Sequence, residues 1–254
     1  MLTAERRKKI LELIETRKSI TVSELCNLLY VSDMTIRRDL RVLANNRLLE
    51  RVHGGALSLR SRSFEPPYVT RATKNIPEKE SIGKCALHLI EEGDSIGLDV
   101  GTTSLELAKA MVGISNLTVV TASLLIAQVL RDAPNLHLIP TGGILRKEEG
   151  SLIGHIAHRT YEDFQIDKAF VGIGGLDLHA GLTEYNLDDA LVKKALIASA
   201  GQVIVLADSS KFGVTCFASV APLSHINIVV TDTGAPTEIV ESINLKGIEV
   251  IIAQ

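Results

Sequence analysis

Two adjacent arginines, Arg37 and Arg38, occupy the middle of the stretch SDMTIRRDL (residues 32–40). Guanidinium groups form bidentate hydrogen bonds with guanine edges in the DNA major groove, and they also bind phosphate oxygens. A helix here would bury Ile36 and Leu40, turn Arg38 almost directly away from them and leave Arg37 to one side. The pattern predicts that Arg38 reads bases and that Arg37 contacts phosphates. The alternative is that these charged residues simply form the solvent-exposed face of a helix.

The segment after this helix, LLERVHGGAL (residues 48–57), has the pattern of a short β-hairpin, as in the wing of a winged helix. Arg47, Arg51 and His53 would then lie near the DNA backbone or the minor groove, although His53 could equally be a turn residue. The candidate DNA-binding residues are Ser32, Met34, Thr35, Arg37, Arg38, Arg41, Arg51 and His53.

A second kind of chemistry is indicated by Asp99-Val-Gly-Thr-Thr-Ser (99–104), which follows an apolar segment and opens a helical one. Gly101 allows the backbone to approach a ligand, and Thr102 and Thr103 place hydroxyls beside the free N–H groups of a helix start. This combination suits a phosphate. The lysine of a Walker loop and the G-x-G-x-x-G spacing are both absent. A plain helix cap remains the alternative.

Polar residues also follow other apolar segments of the chain. They are Thr121, Ser123, Thr141, Gly142, Gly143, Glu184, Asp208 and Lys211, with Lys193 on the helical segment after Glu184. Each could be a cap, a turn residue or half of a surface ion pair. Because ligands of parallel sheets bind at the carboxyl ends of strands, their repeated occurrence there favours one binding site.

Three helical patterns position the arginines of residues 32–40. The first covers residues 3–16, the second opens with a capping box at Thr21 and Glu24, and Ser32 caps the third. A helix, a tight turn and a second helix with a polar outer face form the helix-turn-helix arrangement.

Seven apolar segments separated mostly by helical patterns follow residue 81. They cover residues 95–100, 117–121, 136–140, 168–173, 202–208, 226–232 and 248–252. Such alternation predicts an α/β fold, a parallel sheet covered by helices on both faces. We therefore expect a winged helix-turn-helix domain over residues 1–57, a linker with Pro66, Pro67 and Pro77 over 58–80, and an α/β domain over 81–254.

Charge is unevenly distributed over the 254 residues, whose formal net charge is −3. Residues 1–62 contain 13 Lys and Arg against 7 Asp and Glu, and the remainder contains 14 against 23. A basic head on an acidic body predicts that only the head meets a polyanion. No secretory signal and no apolar run of about 18 residues occurs, so we expect a cytoplasmic protein without a membrane partner. Cys26, Cys85 and Cys216 are too far apart to indicate a disulfide frame or a metal site, and no cofactor is expected.

These motifs resemble those of the DeoR family of bacterial sugar-metabolism repressors. The head contains S-x-x-T-I-R-R-D-L and H-G-G-A, and the body contains D-x-G-T-T, T-G-G and D-S-S-K-F-G. The resemblance implies a sensor domain similar in fold to ribose-5-phosphate isomerase and the CoA transferases. It also implies an effector pocket formed by Asp99, Gly101, Thr102, Thr103, Thr141, Gly142, Gly143, Asp208 and Lys211. Where many relatives have Glu-Ala, this chain has Asp189-Ala190, which leaves the role of that helix, including Lys193, open.

The expected function is a transcriptional repressor of a sugar-catabolism operon that a phosphorylated sugar releases from its operator. One head makes too few base contacts for a specific site, so a homodimer or homotetramer is expected on double-stranded DNA. A sugar-phosphate isomerase with a DNA-binding head is the enzymatic alternative, with Glu184, Asp208 and Lys211 as acid–base groups. A purely architectural DNA binder would leave the polar strand ends unexplained.

Overall fold

The computed structural model describes residues 2–17, 19–46, 48–52, 54–57 and 62–254. Two compact units divide the chain, Met1–Phe64 and Glu65–Gln254. We call them the head and the sensor unit. Arg47 and His53, two residues predicted to lie near DNA, fall outside the described residues.

In its described residues the head consists of three helices and a small antiparallel sheet. Its elements are α1 Thr3–Arg17, β1 Ser19–Thr21, α2 Val22–Leu29, α3 Asp33–Asn45, β2 Glu50–Val52 and β3 Gly55–Leu57. The strand order is β1-β3-β2. The capping box at the start of α2 is present, with the side chain of Thr21 accepting from the N–H of Glu24. The hairpin expected over residues 48–57 is therefore present, and β1 extends it.

A core of apolar side chains holds these helices together. Ile36, Leu40 and Leu43 of α3 are buried against Ile10 and Ile14 of α1 and neighbouring residues in one cluster. The spacing of 4 and 3 puts the three α3 side chains on one stripe, so the opposite face remains in solvent.

The sensor unit alternates helices and strands from residue 65 to the C-terminus. Its elements are α4 Tyr68–Ala72, α5 Ile76–Leu87, β4 Ser95–Leu98, α6 Thr102–Ala110, β5 Leu117–Thr121, α7 Leu124–Leu130, β6 Leu136–Pro140, β7 Ile144–Arg146, β8 Ser151–Ile153, α8 His155–Glu162, β9 Ile166–Gly172, β10 Gly175–Asp177, β11 Gly181–Glu184, α9 Leu187–Ala198, β12 Ala200–Leu206, β13 Ala218–Ala221, β14 Ile228–Asp232, α10 Thr237–Asn244 and β15 Glu249–Ala253. Short 3₁₀ helices cover Ser209–Lys211 and Leu223–His225.

Seven of these strands form a parallel sheet in the order β15-β14-β12-β9-β4-β5-β6, within residues 62–254, which the structure describes without a gap. They correspond to the seven apolar segments of the sequence, so that prediction is confirmed. One apolar cluster packs α5, α6 and α7 on one face, and a second packs α8, α9 and α10 on the other. The parallel sheet covered on both faces is thus present.

The connection between head and sheet differs from the expected linker over residues 58–80. The sensor unit begins at Glu65, and α4 and the start of α5 lie inside the expected linker. Buried Lys79 of α5 fixes α4, because its Nζ donates to the carbonyl oxygens of Arg71 and Lys74 at 2.5 and 2.7 Å. Three prolines and several charges interrupt the hydrophobic periodicity of this stretch, so the sequence pattern did not predict these helical residues. No helix in the described residues is long and apolar enough to span a bilayer.

Candidate functional site

The polar face of α3 begins at a capped helix start. The side chain of Ser32 accepts from the N–H of Thr35, and the two hydroxyl oxygens lie 2.9 Å apart. Both residues predicted to contact DNA therefore also stabilise the first turn of the helix. Met34, in that turn, is 81% exposed and is therefore accessible to a partner.

Arg37 and Arg38 are adjacent on α3, and both side chains are exposed. Arg37 forms an ion pair with Asp33 one turn earlier on α3, and Arg38 is exposed. Arg41 on the same helix and Arg51 on β2 are also exposed. All four guanidinium groups can therefore reach a polyanion, although Arg37 must exchange Asp33 for it.

The topology of the large sheet places a cleft at its carboxyl edge. The chain runs from β4 outward through β5 and β6, and then returns to β9 on the other side of β4. This reversal between β4 and β9 is where open α/β sheets bind ligands. A cleft lies at that point, lined by residues 100–103 after β4 and residues 172–174 after β9.

The start of α6 forms one wall of this cleft. Gly101, the residue before the helix, has φ +142°, a conformation that favours glycine, and Gly101, Thr102 and Thr103 all line the cleft. Beside them the hydroxyl oxygen of Ser104 is buried without a hydrogen-bond partner. Free N–H groups at a helix start, together with hydroxyls, can bind an anion.

Behind this wall, Asp99 and Lys193 form a buried ion pair. Asp99 also accepts from the N–H of Gly172 at 3.0 Å, and Lys193 donates to the carbonyl of Gly172 at 2.5 Å. Glu184, at the end of β11, lines the cleft, with a carboxylate oxygen 3.4 Å from Nζ of Lys193. Asp99 and Lys193, which were predicted to bind the effector, therefore lie beneath the floor of the cleft. Glu184 lines the cleft and contacts Lys193, so it lies between this ion pair and the cleft.

The pKa values of this group follow from burial and pairing. Burial raises the pKa of Asp99 to about 6, although the ammonium of Lys193 acts in the opposite direction. Burial favours the neutral amine of Lys193, but the carboxylates of Asp99 and Glu184 outweigh it and raise the pKa of Lys193. Lys193 therefore stays charged at neutral pH.

Asp208 and Lys211 flank the cleft on the side of β12. Asp208 is buried and caps the 3₁₀ helix, accepting from the N–H of Ser210 and from Nδ2 of Asn75 at 3.1 and 2.9 Å. Burial acts to raise the pKa of Asp208, but the hydroxyl of Ser210, the charge of Lys211 and the amide of Asn75 keep it below its usual value. Lys211 itself lines the cleft. Asp208 thus positions the turn, and Lys211 places a cation at the cleft.

The polar residues after β5 and β6 have structural contacts. Thr121 donates to the carbonyl of Leu98 at 2.6 Å and accepts from the N–H of Ser123, which in turn caps α7. Thr141 is buried, and Gly142 and Gly143 are exposed just before β7. None of these five is among the residues that line the cleft in the described chain. Hydrogen bonds account for the position of Thr121 and a helix cap for that of Ser123, whereas the buried hydroxyl of Thr141 has no hydrogen-bond partner among the described residues.

Five charged residues that sequence reasoning left out, or left open, form a network across the mouth of the cleft. Arg71 pairs with Glu149 and with Glu65, the latter at 3.0 Å. Arg146 pairs with the other oxygen of Glu65 at 2.5 Å and with Asp189. Asp189 also accepts from the hydroxyl of Ser151 at 3.0 Å. The role of Asp189, which the sequence left undetermined, is thus to hold Arg146 at the end of β7.

Local patterns gave little sign of this network. Glu65 and Arg71 flank Pro66 and Pro67 in a stretch without periodicity, and Arg146 lies in a hairpin that no apolar alternation marks. The one sequence feature that could have indicated these residues is the presence of charged side chains next to prolines, which interrupt regular structure. Pairing at separations of 78 and 81 residues is visible only in the folded chain.

Two family profiles match the chain. The DeoR-like helix-turn-helix domain matches residues 6–62 and the DeoR C terminal sensor domain matches residues 74–233. The resemblance seen in the motifs is thereby confirmed.

Curated relatives extend along nearly the whole chain. The HTH-type transcriptional regulator YulB of Bacillus subtilis is 38% identical over 98% of this chain and 96% of its own. The glycerol-3-phosphate regulon repressor of Escherichia coli K12 is 32% identical over 95% of each chain. Among solved structures, ribose 5-phosphate isomerase A from Methanocaldococcus jannaschii aligns over 55% of each chain, with a TM-score of 0.41 and 18% identity.

Proposed function

The chain belongs to the DeoR family of transcriptional regulators, and we propose that it represses a sugar-catabolism operon until a phosphorylated sugar binds the cleft. Binding of the sugar phosphate favours a state with low affinity for operator DNA. Such coupling between two sites requires only that the effector bind the two states with different affinities.

The observation that carries this proposal is the composition of the cleft. The N-terminus of α6, two threonine hydroxyls and the ammonium of Lys211 line one side of it. These are donors for a phosphoryl group. Glu184 and Tyr185 line the same cleft and provide acceptor oxygens of the kind that bind sugar hydroxyls.

A relative supports a phosphorylated effector. The name of the Escherichia coli relative refers to a glycerol-3-phosphate regulon. For the present chain we infer the same chemical class, a small phosphorylated polyol or sugar, because the anion-binding elements lie at the ligand position of this sheet.

The DNA-binding surface is the outer face of α3 with the hairpin that follows. Arg38, Arg41 and Met34 face base edges in this proposal, and Arg37 and Arg51 face phosphates. A single helix supplies few bidentate contacts, each worth about 1–3 kcal/mol of discrimination. We therefore propose that a dimer or tetramer reads repeated half-sites.

Thermal denaturation with a panel of sugar phosphates and the matching dephosphorylated sugars tests the effector. A ligand that binds only the folded state raises the melting temperature. We expect a shift with one phosphorylated sugar and none with its dephosphorylated form at equal concentration. A neutral sugar or an amino acid that shifts the transition equally would contradict the proposal.

One observation favours the enzymatic alternative, a sugar-phosphate isomerase. Asp99, whose pKa is raised to about 6 by burial, lies behind Glu184 at the cleft, and acid–base catalysis needs carboxyl groups with pKa values near neutrality. Incubation with ribose 5-phosphate and related aldose phosphates distinguishes the two functions. Ketose product at a rate above the uncatalysed reaction would support the enzyme.

A further inference from the structure

Tyr30, which ends α2 in the turn before α3, has an unusual backbone conformation. Its φ and ψ are 54° and 45°, in the left-handed region. Helices that end in this conformation usually have glycine there, or asparagine, because a Cβ atom comes too close to the following carbonyl oxygen. A bulky residue in this region is an outlier. The backbone of Tyr30 is therefore strained.

Other left-handed positions of the chain have a different residue type. In the described residues, four residues other than glycine have a positive φ, and three of them are asparagine. They are Asn75, Asn116 and Asn135, with φ values of 52°, 62° and 54°. Asparagine tolerates this region because its short amide can form a local hydrogen bond. Tyr30 is the exception, at a position where asparagine would have the same backbone geometry with less strain.

Contacts within the described part of the head do not compensate for this strain. Tyr30 is 93% exposed. Its side chain takes part in no hydrogen bond or ring contact with the described residues. A strained residue persists where the surrounding structure or a function holds it in place. Since the described structure does not hold this side chain, the strain points to a contact with another molecule.

The place of Tyr30 in the turn indicates which molecule this is. Tyr30 lies two residues before Ser32, the cap of α3, so the two Cα atoms are within about 8 Å of each other. The second helix of a helix-turn-helix enters the major groove with its N-terminal residues at the base edges. The phosphates that border the groove then lie beside the turn. A tyrosine hydroxyl is among the side-chain groups that donate to DNA phosphates.

We propose that the hydroxyl of Tyr30 donates a hydrogen bond to a DNA phosphate at the edge of the groove that α3 enters. The contact adds affinity for DNA of any sequence, because phosphate contacts carry no sequence information. This inference rests on the DNA-binding surface in the proposed function and adds to it a residue outside α3. It does not depend on the effector.

Tyr30→Phe isolates the hydroxyl, because the variant keeps the ring and a bulky residue in the turn. The probes are a duplex that the full wild-type chain selects from a random-sequence pool and a mixed-sequence duplex of equal length. We expect about tenfold lower affinity for both duplexes. The salt dependence of binding should remain that of the wild type, since a neutral donor releases no counterion, whereas Arg37→Ala should reduce it.

Tyr30→Asn separates the strain from the contact. Relief of the strain should raise the melting temperature of the head, while DNA affinity falls at least as far as in Tyr30→Phe. Asn135→Tyr is the matched control, since Asn135 is exposed in the sensor unit and has the same φ of 54°. This change should lower the melting temperature of the sensor unit and leave DNA affinity unchanged. Calorimetry of the full chain measures both transitions.

The possible outcomes separate this inference from the proposed function. Wild-type affinity in Tyr30→Phe, or a reduced salt dependence, would overturn the phosphate contact, and a loss of operator preference in Arg38→Ala would leave the proposed DNA-binding surface intact. A melting temperature that Tyr30→Asn does not raise would also overturn the inference, because the turn would then not be strained. A wild-type chain that selects no duplex would overturn both. The Tyr30→Phe titrations decide alone if Tyr30→Asn does not fold.

Discussion

Lys193 and Lys211 have the same side chain and lie near the same edge of the sheet, but their surroundings differ. Lys193 is 1% exposed and paired with Asp99, whereas Lys211 lines the cleft beside the start of α6. A buried lysine with a carboxylate partner neutralises that carboxylate. A lysine at the surface of a cleft can exchange its partner for a ligand. Position, rather than residue type, separates the two roles.

Replacement of Lys211 by alanine should weaken effector binding and leave operator binding without effector nearly unchanged. A charge-assisted hydrogen bond contributes about 1.5–3 kcal/mol. Its loss corresponds to an affinity about 10- to 100-fold lower. An operator titration with and without the sugar phosphate from the thermal screen measures both affinities.

Lys194→Ala is the control for this variant, since Lys194 is an exposed lysine of α9 that does not line the cleft. It should respond to the effector as the wild type does. Unchanged induction in Lys211→Ala would show that Lys211 takes no part in the site.

Arg38→Ala should remove the preference for operator over random DNA, and Arg37→Ala should weaken binding to both equally. Base contacts specify, whereas phosphate contacts position the protein and add salt dependence. Both side chains are exposed on α3, and Arg37 also pairs with Asp33. Titrations with both DNAs at two salt concentrations measure the effects. Equal losses on both DNAs for both variants would contradict this assignment.

The helices of the head are joined by an ion pair as well as by their apolar stripe. Asp39 of α3 is 1% exposed and accepts from Arg6 and Arg7 of α1 at 2.6 and 2.8 Å. Asp39 thus ties α3, the helix proposed to face DNA, to α1. The two arginines, which the sequence shows only as part of a basic cluster, have a structural partner.

Asp39→Ala should destabilise the head, because it leaves two partly buried guanidinium groups without their carboxylate. We expect a loss of about 2–3 kcal/mol in the free energy of unfolding, below the usual cost for a fully buried pair because Arg7 is partly exposed. Calorimetry of the full chain measures the transition of the head.

Asp33→Ala is the matched control on the same helix. Its pair with Arg37 is exposed on both sides, so its removal should change the transition little. If Asp39→Ala melts like Asp33→Ala, the contact between α1 and α3 does not depend on this ion pair.

In the whole molecule, a basic head with the helix-turn-helix domain is joined to an acidic unit that contains the cleft. The units are compact and connected through the segment that Arg71 holds at Glu65 and Pro66. A regulator of this kind needs its effector and its DNA to affect each other through the chain.

The coupling should be reciprocal. If the sugar phosphate lowers operator affinity by some factor, saturating operator DNA must lower effector affinity by the same factor. Calorimetric titration of the effector into the free protein and into its operator complex measures both values. Effector affinity that operator DNA leaves unchanged, together with loss of operator binding on adding effector, would show that the loss does not come from reversible binding of the effector to this protein.

The sequence by itself determined the fold class and the helix-turn-helix arrangement of the head. Hydrophobic periodicity is local, so the stripe of α3, the capping box at Thr21 and the seven sheet strands are visible in short windows of residues. The parallel order of such strands also places polar residues at one edge, which predicted Gly101 and Lys211 at the cleft. The family profiles confirmed the motif resemblance.

Only the tertiary structure decided which polar residues face the cleft. It assigned Thr121 to a hydrogen bond with the carbonyl of Leu98 and Ser123 to a helix cap, placed Lys193 beneath the floor and brought Glu65, Arg71 and Arg146 together. Ion pairs between residues that are distant in sequence leave no periodic pattern, because they depend on where the chain returns in space. The periodicity of a sequence indicates which side of a single helix or strand is buried. The charged residues of a site, in contrast, form ion pairs between different elements, which periodicity does not show.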